Sequence, residues 1–195
     1  MHERRFPISQ VHKLEDPERR KWLPPDEVIR LLDIHADWTI ADIGAGTGYF
    51  TLPMAQIAAK VFAVDVEPGM LARIEAKLIE AELNNVVCLQ AEDSATGLAG
   101  SSCDCILLAN VWHEFDDHAA VLAEAARILK PNGRLAVLDW RADLDTPPGP
   151  PQAHRIPKEV AQFTISDSGF RVHTVCHVGK YSWLLLALRT GEGGG

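Results

Sequence analysis

Three glycines at alternate positions constrain the fold of this chain more than any other feature. They lie in the segment Gly44-Ala45-Gly46-Thr47-Gly48, directly after an apolar run at 39–43 that has the pattern of a buried strand. A helix is predicted to follow, from about Gly48 to Ala59. In an open α/β sheet, a glycine turn after the first strand lets the backbone approach a ligand closely. The amino terminus of the following helix then favours a carboxylate or a phosphate.

Apolar strand-like runs alternate with helical runs along the next hundred residues. Strands are predicted at 39–43, 61–65, 86–90, 105–109 and 134–140, and helices at 68–81, 118–129 and 157–166. The segment 130–133 is expected to be a turn before the fifth strand. Two closing strands, 170–177 and 181–188, are joined by a short link and predict an antiparallel hairpin. The alternation indicates an α/β fold with a mostly parallel sheet and helices on both faces.

An acidic residue ends the second predicted strand. Asp65 lies about 20 residues after the glycine segment, where dinucleotide-type sites place an acid for the ribose hydroxyls. An acid at this position argues against a 2′-phosphate and so against NADP. The GxGxG spacing also differs from the GxGxxG of dinucleotide oxidoreductases. The sequence therefore predicts a nucleoside-containing ligand other than NADP.

Five short motifs, in chain order, resemble those of the class I S-adenosylmethionine (SAM) dependent methyltransferases, in the branch of the ubiquinone/menaquinone-biosynthesis enzymes. The motifs are the segments 42–48, 63–70, 90–93, 102–106 and 129–135, and the resemblance covers about residues 22–189. It implies a Rossmann-like sheet of seven strands in the order 3-2-1-4-5-7-6, with the last strand antiparallel. It also implies SAM as cofactor and transfer of a methyl group to a small-molecule acceptor.

The resemblance assigns the cofactor-binding roles. Asp42 and the backbone of Gly44, Ala45, Gly46 and Gly48 would hold the methionine end of SAM. Asp65 would accept the ribose hydroxyls, and Val66 and Met70 would pack on the adenine. The partner of the adenine amino group would be Glu92 or Asp93, with Glu92 favoured. Asn110 and Val111, after the fourth strand, would line the methyl-donor pocket.

Candidate catalytic residues lie beyond the fourth strand and beyond a proline-rich loop. His113 could act as a general base with Glu114 orienting it, or both could pack at a loop–helix junction. His154 and Arg155 follow the proline-rich stretch 146–151, which in resembling family members lies over the acceptor pocket. The alternative is that this His-Arg pair only pins a stiff loop to the sheet edge.

The amino-terminal segment carries a cluster of positive charge. Arg19, Arg20 and Lys21 are interpreted as a solvated helix face, with contact to the cofactor or to an anionic acceptor as the alternative. Trp22 could cover the pocket or anchor the core. We therefore expect an arm or lid at 1–24, a methyltransferase domain at 25–190 and a disordered tail at 191–195.

Composition excludes several other classes of protein. The net charge of −8 argues against a nucleic-acid partner, and no apolar run is long enough to span a membrane. Cys103 and Cys105, two positions apart, are expected on one sheet face as reduced thiols in a cytoplasmic protein, and no metal site is predicted. The sequence leaves open a homodimer. Two rival functions are an NAD-dependent oxidoreductase and a SAM-binding regulatory or assembly protein without turnover.

Overall fold

A seven-stranded sheet forms the centre of the computed structural model, which describes residues 5–92, 95–145 and 148–190. The strand order is β3-β2-β1-β4-β5-β7-β6, and only the pairings of β7 are antiparallel. This order and the reversed last strand confirm the predicted fold. The strands are β1 (Thr39–Ile43), β2 (Lys60–Asp65), β3 (Val86–Gln90), β4 (Cys103–Ala109), β5 (Leu129–Trp140), β6 (Phe170–Val178) and β7 (Ser182–Arg189).

Helices cover both faces of the sheet, because the parallel strands are apolar on both sides. One core layer packs α5 and α6 against Ile106 and Leu108 of β4, and the opposite layer packs α2 and α3 against Leu107. A smaller cluster packs α4 against Ala63 of β2. The helices are α1 (Arg19–Trp22), α2 (Pro25–Leu32), α3 (Thr51–Ala55), α4 (Pro68–Glu80), α5 (His118–Ile128) and α6 (Lys158–Asp167), with 3-10 helices at Ile8–Lys13, Trp112–Glu114 and Gln152–His154.

The helix after the glycine turn is much shorter than predicted. It comprises only Thr51–Ala55, whereas the sequence pattern suggested 48–59. Pro53 lies in its first turn and has no N–H to donate to the carbonyl four positions earlier, which limits extension of the helix toward Gly48. The flanking residues form hydrogen-bonded turns instead, such as the bond from the Gly48 amide to the Ala45 carbonyl. The predicted helix-terminus site for an anion therefore has no support in the structure.

Strand β5 begins earlier than the sequence suggested. Residues 130–133, predicted as a turn, belong to β5, whose pairing with β4 shifts register between Cys103 and Cys105. Asn132, with φ of 61°, accommodates the irregularity. The same shift places Cys103 and Cys105 in core layers on opposite faces, so the expectation that they share one face is wrong.

The amino-terminal segment is more ordered than an irregular arm. A 3-10 helix at Ile8–Lys13 precedes α1, and Asp16 accepts a hydrogen bond from the Glu18 amide at 2.9 Å. The segment is fastened to the closing hairpin, where the Lys180 amide donates to the Trp22 carbonyl at 3.0 Å. Gly179 is required at this crossing, since a Cβ there would lie 2.1 Å from the Trp22 oxygen. The predicted tail at 191–195 lies outside the described residues.

Candidate active site

A cavity of about 890 Å³ opens at the carboxyl ends of four neighbouring strands, β2, β1, β4 and β5. Its volume falls within the range of small-molecule sites. Since adjacent strands lie about 4.8 Å apart, three spacings give a floor roughly 14 Å long. The amino-terminal segment and the loop after β5 form the remaining walls. One cavity can therefore hold two groups side by side.

The glycine turn forms the floor at the end of β1. Gly44 and Gly46 line the cavity with φ angles of 72° and 54°, and the Gly44 amide donates to the Val64 carbonyl at 2.8 Å. A Cβ on Gly44 would lie 2.8 Å from Cγ2 of Val111. Gly48 is not among the lining residues of the cavity. Its Cα faces Leu52, so this glycine serves packing beneath the site.

Asp65 lies at the cavity edge where β2 ends. One carboxylate oxygen accepts from the Gly46 amide at 2.8 Å and the other from the Glu67 amide at 2.9 Å. Burial raises the pKa of Asp65, and the two backbone donors oppose that rise. A carboxylate oxygen has more than one acceptor site, so both oxygens can still take hydroxyl donors from a ligand. The turn and the acid thus hold each other in place.

Asp42 is the buried acid beneath the glycine turn. Its carboxyl accepts the Thr51 hydroxyl at 2.5 Å, and its exposed fraction is 2%. Burial raises its pKa to about 7, although the Thr51 hydrogen bond and the charge of Arg19 act in the opposite direction. Asp42 therefore changes protonation near neutral pH.

The far end of the cavity is apolar. Val66, Met70 and Ala91 line it, in agreement with a pocket for a flat ring. Glu92 is exposed and is not a lining residue; its backbone instead forms a bridge with Ala95. Asp93 lies outside the described residues.

Asn110 is the unusual residue at the end of β4. It lines the cavity with a φ of 57°, next to Val111. Within the described part of the chain, both polar atoms of its side chain are buried and have no hydrogen-bond partner. A buried amide without partners is costly, and a bound polar ligand would relieve that cost.

His113 is held by an acid that the sequence interpretation missed. Its Nδ1 lies 2.8 Å from Oδ1 of Asp139, and its backbone amide donates to Oδ2 at 2.8 Å. Glu114, the expected orienting group, has Oε1 4.0 Å from Nε2 of His113. Both His113 and Glu114 line the cavity, and burial raises the pKa of Glu114 to about 7. An acid at the end of an otherwise apolar strand was the signal that could have pointed to Asp139.

The proline-rich loop closes the β5 side of the cavity. Pro148, Pro150 and His154 are lining residues, and Gly149 packs so closely on Trp140 that a Cβ would lie 2.5 Å from its ring. Arg155 is buried and is not a lining residue. Its guanidinium donates to the carbonyls of Leu144 at 2.6 Å and Pro150 at 2.9 Å, tying the two ends of the loop together. The structure therefore separates the His-Arg pair into a cavity residue and a loop brace.

The amino-terminal segment supplies the opposite wall. Arg19, expected on a solvated face, is instead buried; it lines the cavity, and its guanidinium carbon lies 4.0 Å from the centroid of the Tyr49 ring. Burial lowers its pKa to about 10. Arg20 and Lys21 are exposed, as expected. Trp22 also lines the cavity, with its ring centroid 5.4 Å from that of Trp140.

These features suit SAM. The Asn110 amide offers a donor and an acceptor that have no partner among the described residues, and the glycine turn lines the cavity with backbone. Asp65 would hold the ribose, and the apolar end formed by Val66 and Met70 would hold the adenine. A bound SAM would supply an electrophilic methyl group on a sulfonium.

The described ranges contain neither a candidate metal site nor a candidate membrane span. Over the described ranges, no three His, Cys, Asp or Glu side chains come together in a way that could hold a metal ion. In the same ranges, the structure contains no helix with the length and apolar character needed to cross a membrane.

Comparison with known proteins gives the same picture as the geometry. Residues 41–137 match a methyltransferase domain model. The fold is similar to a crystal structure of a SAM-dependent methyltransferase from Aquifex aeolicus, with 28% identity and a TM-score of 0.90 over 95% of this chain and 100% of that one. A putative type 11 methyltransferase from Sulfolobus solfataricus has 26% identity and a TM-score of 0.72, over 89% of this chain and 96% of that one.

Curated relatives match over a shorter span. An uncharacterized methyltransferase of Mycobacterium bovis is 34% identical over 63% of this chain, which spans only 44% of that relative's length. A ubiquinone/menaquinone biosynthesis C-methyltransferase of Syntrophotalea carbinolica is 33% identical over 57% of this chain and 48% of its own length. The sheet order, the glycine turn, Asp65 and these matches agree. The chain carries a methyltransferase domain at residues 41–137 and has the fold of the class I SAM-dependent methyltransferases.

Proposed function

We propose that the protein transfers a methyl group from SAM to a small-molecule acceptor. The observation that carries this proposal is the continuity of the cavity from the end of β2 to the end of β5. The β2–β1 half has the features of a cofactor pocket, and the β5 half is walled by aromatic and proline side chains. Bringing donor and acceptor together in line can supply about 7–11 kcal/mol of the barrier reduction.

The donor half uses the groups that the family resemblance assigned. Asp65 accepts the ribose hydroxyls, and the Gly44–Gly46 backbone and Asp42 lie at the methionine end. Asn110 satisfies its buried amide on the ligand. Val111 packs against Gly44 and so fixes the distance between the β1 and β4 ends of the pocket.

The acceptor half lies between the amino-terminal segment and the proline-rich loop. Trp22 and Trp140 give it flat apolar walls, and His154 and Arg19 bring donors for a polar or anionic group. Enclosure by two loops and a net charge of −8 favour a small molecule over a nucleic acid. We assign His113 to the reacting side of this half, and Arg155 to bracing the loop.

Binding measurements test the donor half. We expect calorimetry to show SAM and S-adenosylhomocysteine binding, with NAD much weaker. Asp65→Asn should weaken SAM binding by about 1–3 kcal/mol, a roughly 5–150-fold effect, because the ribose loses charge-assisted hydrogen bonds. Asp104→Asn is the matched control, since its carboxylate also accepts a backbone amide, from Thr39 at 2.8 Å, but outside the cavity. An equal loss of SAM affinity in both variants would mean that Asp65 does not bind the ribose.

Transfer of a labelled methyl group tests the acceptor half. The protein is incubated with methyl-labelled SAM and either the small-molecule filtrate or the macromolecular retentate of a cell extract. We expect label to be transferred to the filtrate. Label in the retentate alone would contradict a small-molecule acceptor. SAM binding without transfer to either fraction would favour the non-catalytic SAM-binding protein.

A further inference from the structure

We infer that Asp139 is a positioning residue that fixes the tautomer of His113, so that the acceptor methylated in this site is one that loses a proton on transfer. This inference rests on the proposed methyltransferase function and deepens it. It concerns an acid on β5 and a histidine 26 positions earlier, on the 3-10 helix after β4.

Asp139 is built into the structure as an acceptor. Its exposed fraction is 1%, and it takes hydrogen bonds from the backbone amides of His113 at 2.8 Å and Trp140 at 2.7 Å. Each carboxyl oxygen accepts one of these backbone donors, and each has a further acceptor site. The carboxylate is therefore available to accept a third donor, the N–H of the imidazole.

The ring of His113 lies against both oxygens of this carboxylate. Its Nδ1 is 2.8 Å from Oδ1 and 3.1 Å from Oδ2, so an ionised Asp139 requires the proton on Nδ1. The neutral ring then has its basic lone pair on Nε2. Asp139 does not line the cavity whereas His113 does, and this is the arrangement of an orienting acid behind a base.

The surroundings of Nε2 suit an imidazole that becomes charged for a short time. Nε2 lies 4.0 Å from Oε1 of Glu114, which lines the same cavity. Asp139 lies against Nδ1 on one side, and Glu114, when ionised, places a second negative charge near Nε2 on the other. The exposed fraction of His113 is only 4%, so bulk water does little to stabilise that charge and the carboxylates must do so.

The resulting step balances in protons and electrons. An acceptor atom that bears hydrogen forms its bond to the methyl carbon, and the sulfonium–carbon bond breaks with its electron pair on sulfur. The hydrogen leaves the acceptor as a proton and binds Nε2 of His113. The products are a neutral thioether, a methylated acceptor without added charge and an imidazolium paired with Asp139. A thioether or a tertiary amine has no proton to lose and gives this base no role.

The tautomer of His113 is measured directly by long-range ¹H–¹⁵N NMR on the full chain with bound S-adenosylhomocysteine. We expect Nδ1 protonated and Nε2 unprotonated in the neutral ring. Asp139→Asn should move the proton toward Nε2, because the amide can donate to Nδ1. Glu114→Gln, which leaves Nδ1 untouched, should keep the wild-type tautomer. A neutral wild-type ring protonated on Nε2 overturns the inference, even if the variant does not fold.

The acceptor found with methyl-labelled SAM gives a second, separate outcome. A product heavier by CH2 and without a new permanent charge supports the inference, and a new sulfonium or quaternary ammonium overturns it. With that acceptor, Asp139→Asn should lower turnover roughly 10²–10⁴-fold while SAM affinity stays within a few-fold. Unchanged turnover in a folded variant also overturns it. If the wild-type protein does not bind SAM at all, the proposed methyltransferase function itself is wrong.

Discussion

Replacing Gly44 with alanine tests whether the glycine turn is set by its contact with the neighbouring strand. Gly44 has a φ of 72°, and an added Cβ would lie 2.8 Å from Cγ2 and 3.0 Å from Cβ of Val111. Two costs are therefore expected. One is the backbone cost of a left-handed alanine, and the other is the overlap with a β-branched side chain that has little rotational freedom.

A matched control separates these two costs. Gly97 has the same φ of 72°, and a Cβ there would meet nothing within 4 Å. Gly97→Ala should then show only the backbone cost, about 1–2 kcal/mol in the free energy of unfolding. Gly44→Ala should add the cost of overpacking, about 1–3 kcal/mol, for a total of about 2–5 kcal/mol.

The assay is urea denaturation of both variants, followed by SAM calorimetry. Gly44→Ala should also weaken SAM binding, because either Val111 or the turn must move and both line the cavity. Gly97→Ala should leave SAM affinity unchanged, since Gly97 is not a lining residue. If both variants lose the same free energy of unfolding, the expected overlap between a Gly44 Cβ and Val111 does not occur.

Two further predictions concern titration and the loop brace. The folded-state pKa of Asp42, about 7, lies above its ordinary value of 3.8, so this group stabilises the fold at low pH and the stabilisation is lost as pH rises toward 7. Denaturation at several pH values between 4.5 and 7 should show the free energy of unfolding falling as pH rises, by up to about 1.4 kcal/mol per pH unit for one proton. Asp42→Asn should make this dependence on pH less steep. An unchanged dependence in the variant would contradict the raised pKa of Asp42. Arg155→Met should leave the carbonyls of Leu144 and Pro150 without their donor, so we expect faster proteolysis within 141–156 and unchanged SAM affinity. Arg155→Lys should restore resistance to proteolysis only in part, because a lysine cannot donate to both carbonyls as the guanidinium does. Resistance equal to that of the wild-type protein would mean that the positive charge alone holds the loop.

The strands of the sheet could be predicted because each one is encoded by a short, contiguous run of sequence. The bounds of β1 and β3 agree with the predicted 39–43 and 86–90, since both are short, mostly apolar runs between polar turns. The centre of β1 is buried, whereas no residue of the edge strand β3 is. The reversed final hairpin followed from two apolar runs with a three-residue link. The strand order, in contrast, came from the family resemblance, because the alternation alone fits several orders.

Errors occurred where one residue overrides a periodic pattern. Pro53 delays the start of α3 although the apolar spacing before it fits a helix. The segment 130–133 contains proline and glycine and was predicted as a turn, yet pairing with β4 incorporates it into β5 as an irregularity. In both cases the sequence pattern predicted the correct type of element, α3 or β5, but placed at least one of its ends wrongly.

Within the site, the predictable residues are those whose role depends on backbone position. Gly44 and Asp65 are fixed by the ends of β1 and β2, and a strand end can be located from sequence. Asp139 and Arg19 depend on contacts between distant segments, which no single-sequence pattern reports. Arg19 was misjudged because a solvated face is the usual place for a helical arginine, whereas here the cavity wall buries it against Tyr49.

The distribution of buried charge connects these observations. The core layers on both sheet faces are apolar, while Asp42, Asp139, His113 and Arg19 are all buried around the carboxyl end of the sheet. Each of these groups costs stability that an apolar side chain would not. A fold retains such groups where function needs them, because pKa values and side-chain orientation can be controlled only in a place from which water is excluded. The two proposed halves of the cavity therefore differ in kind. The donor half is set mainly by strand ends and glycines, with Asp42 buried beneath them, whereas the acceptor half depends on Asp139, His113 and Arg19, brought together from distant parts of the chain.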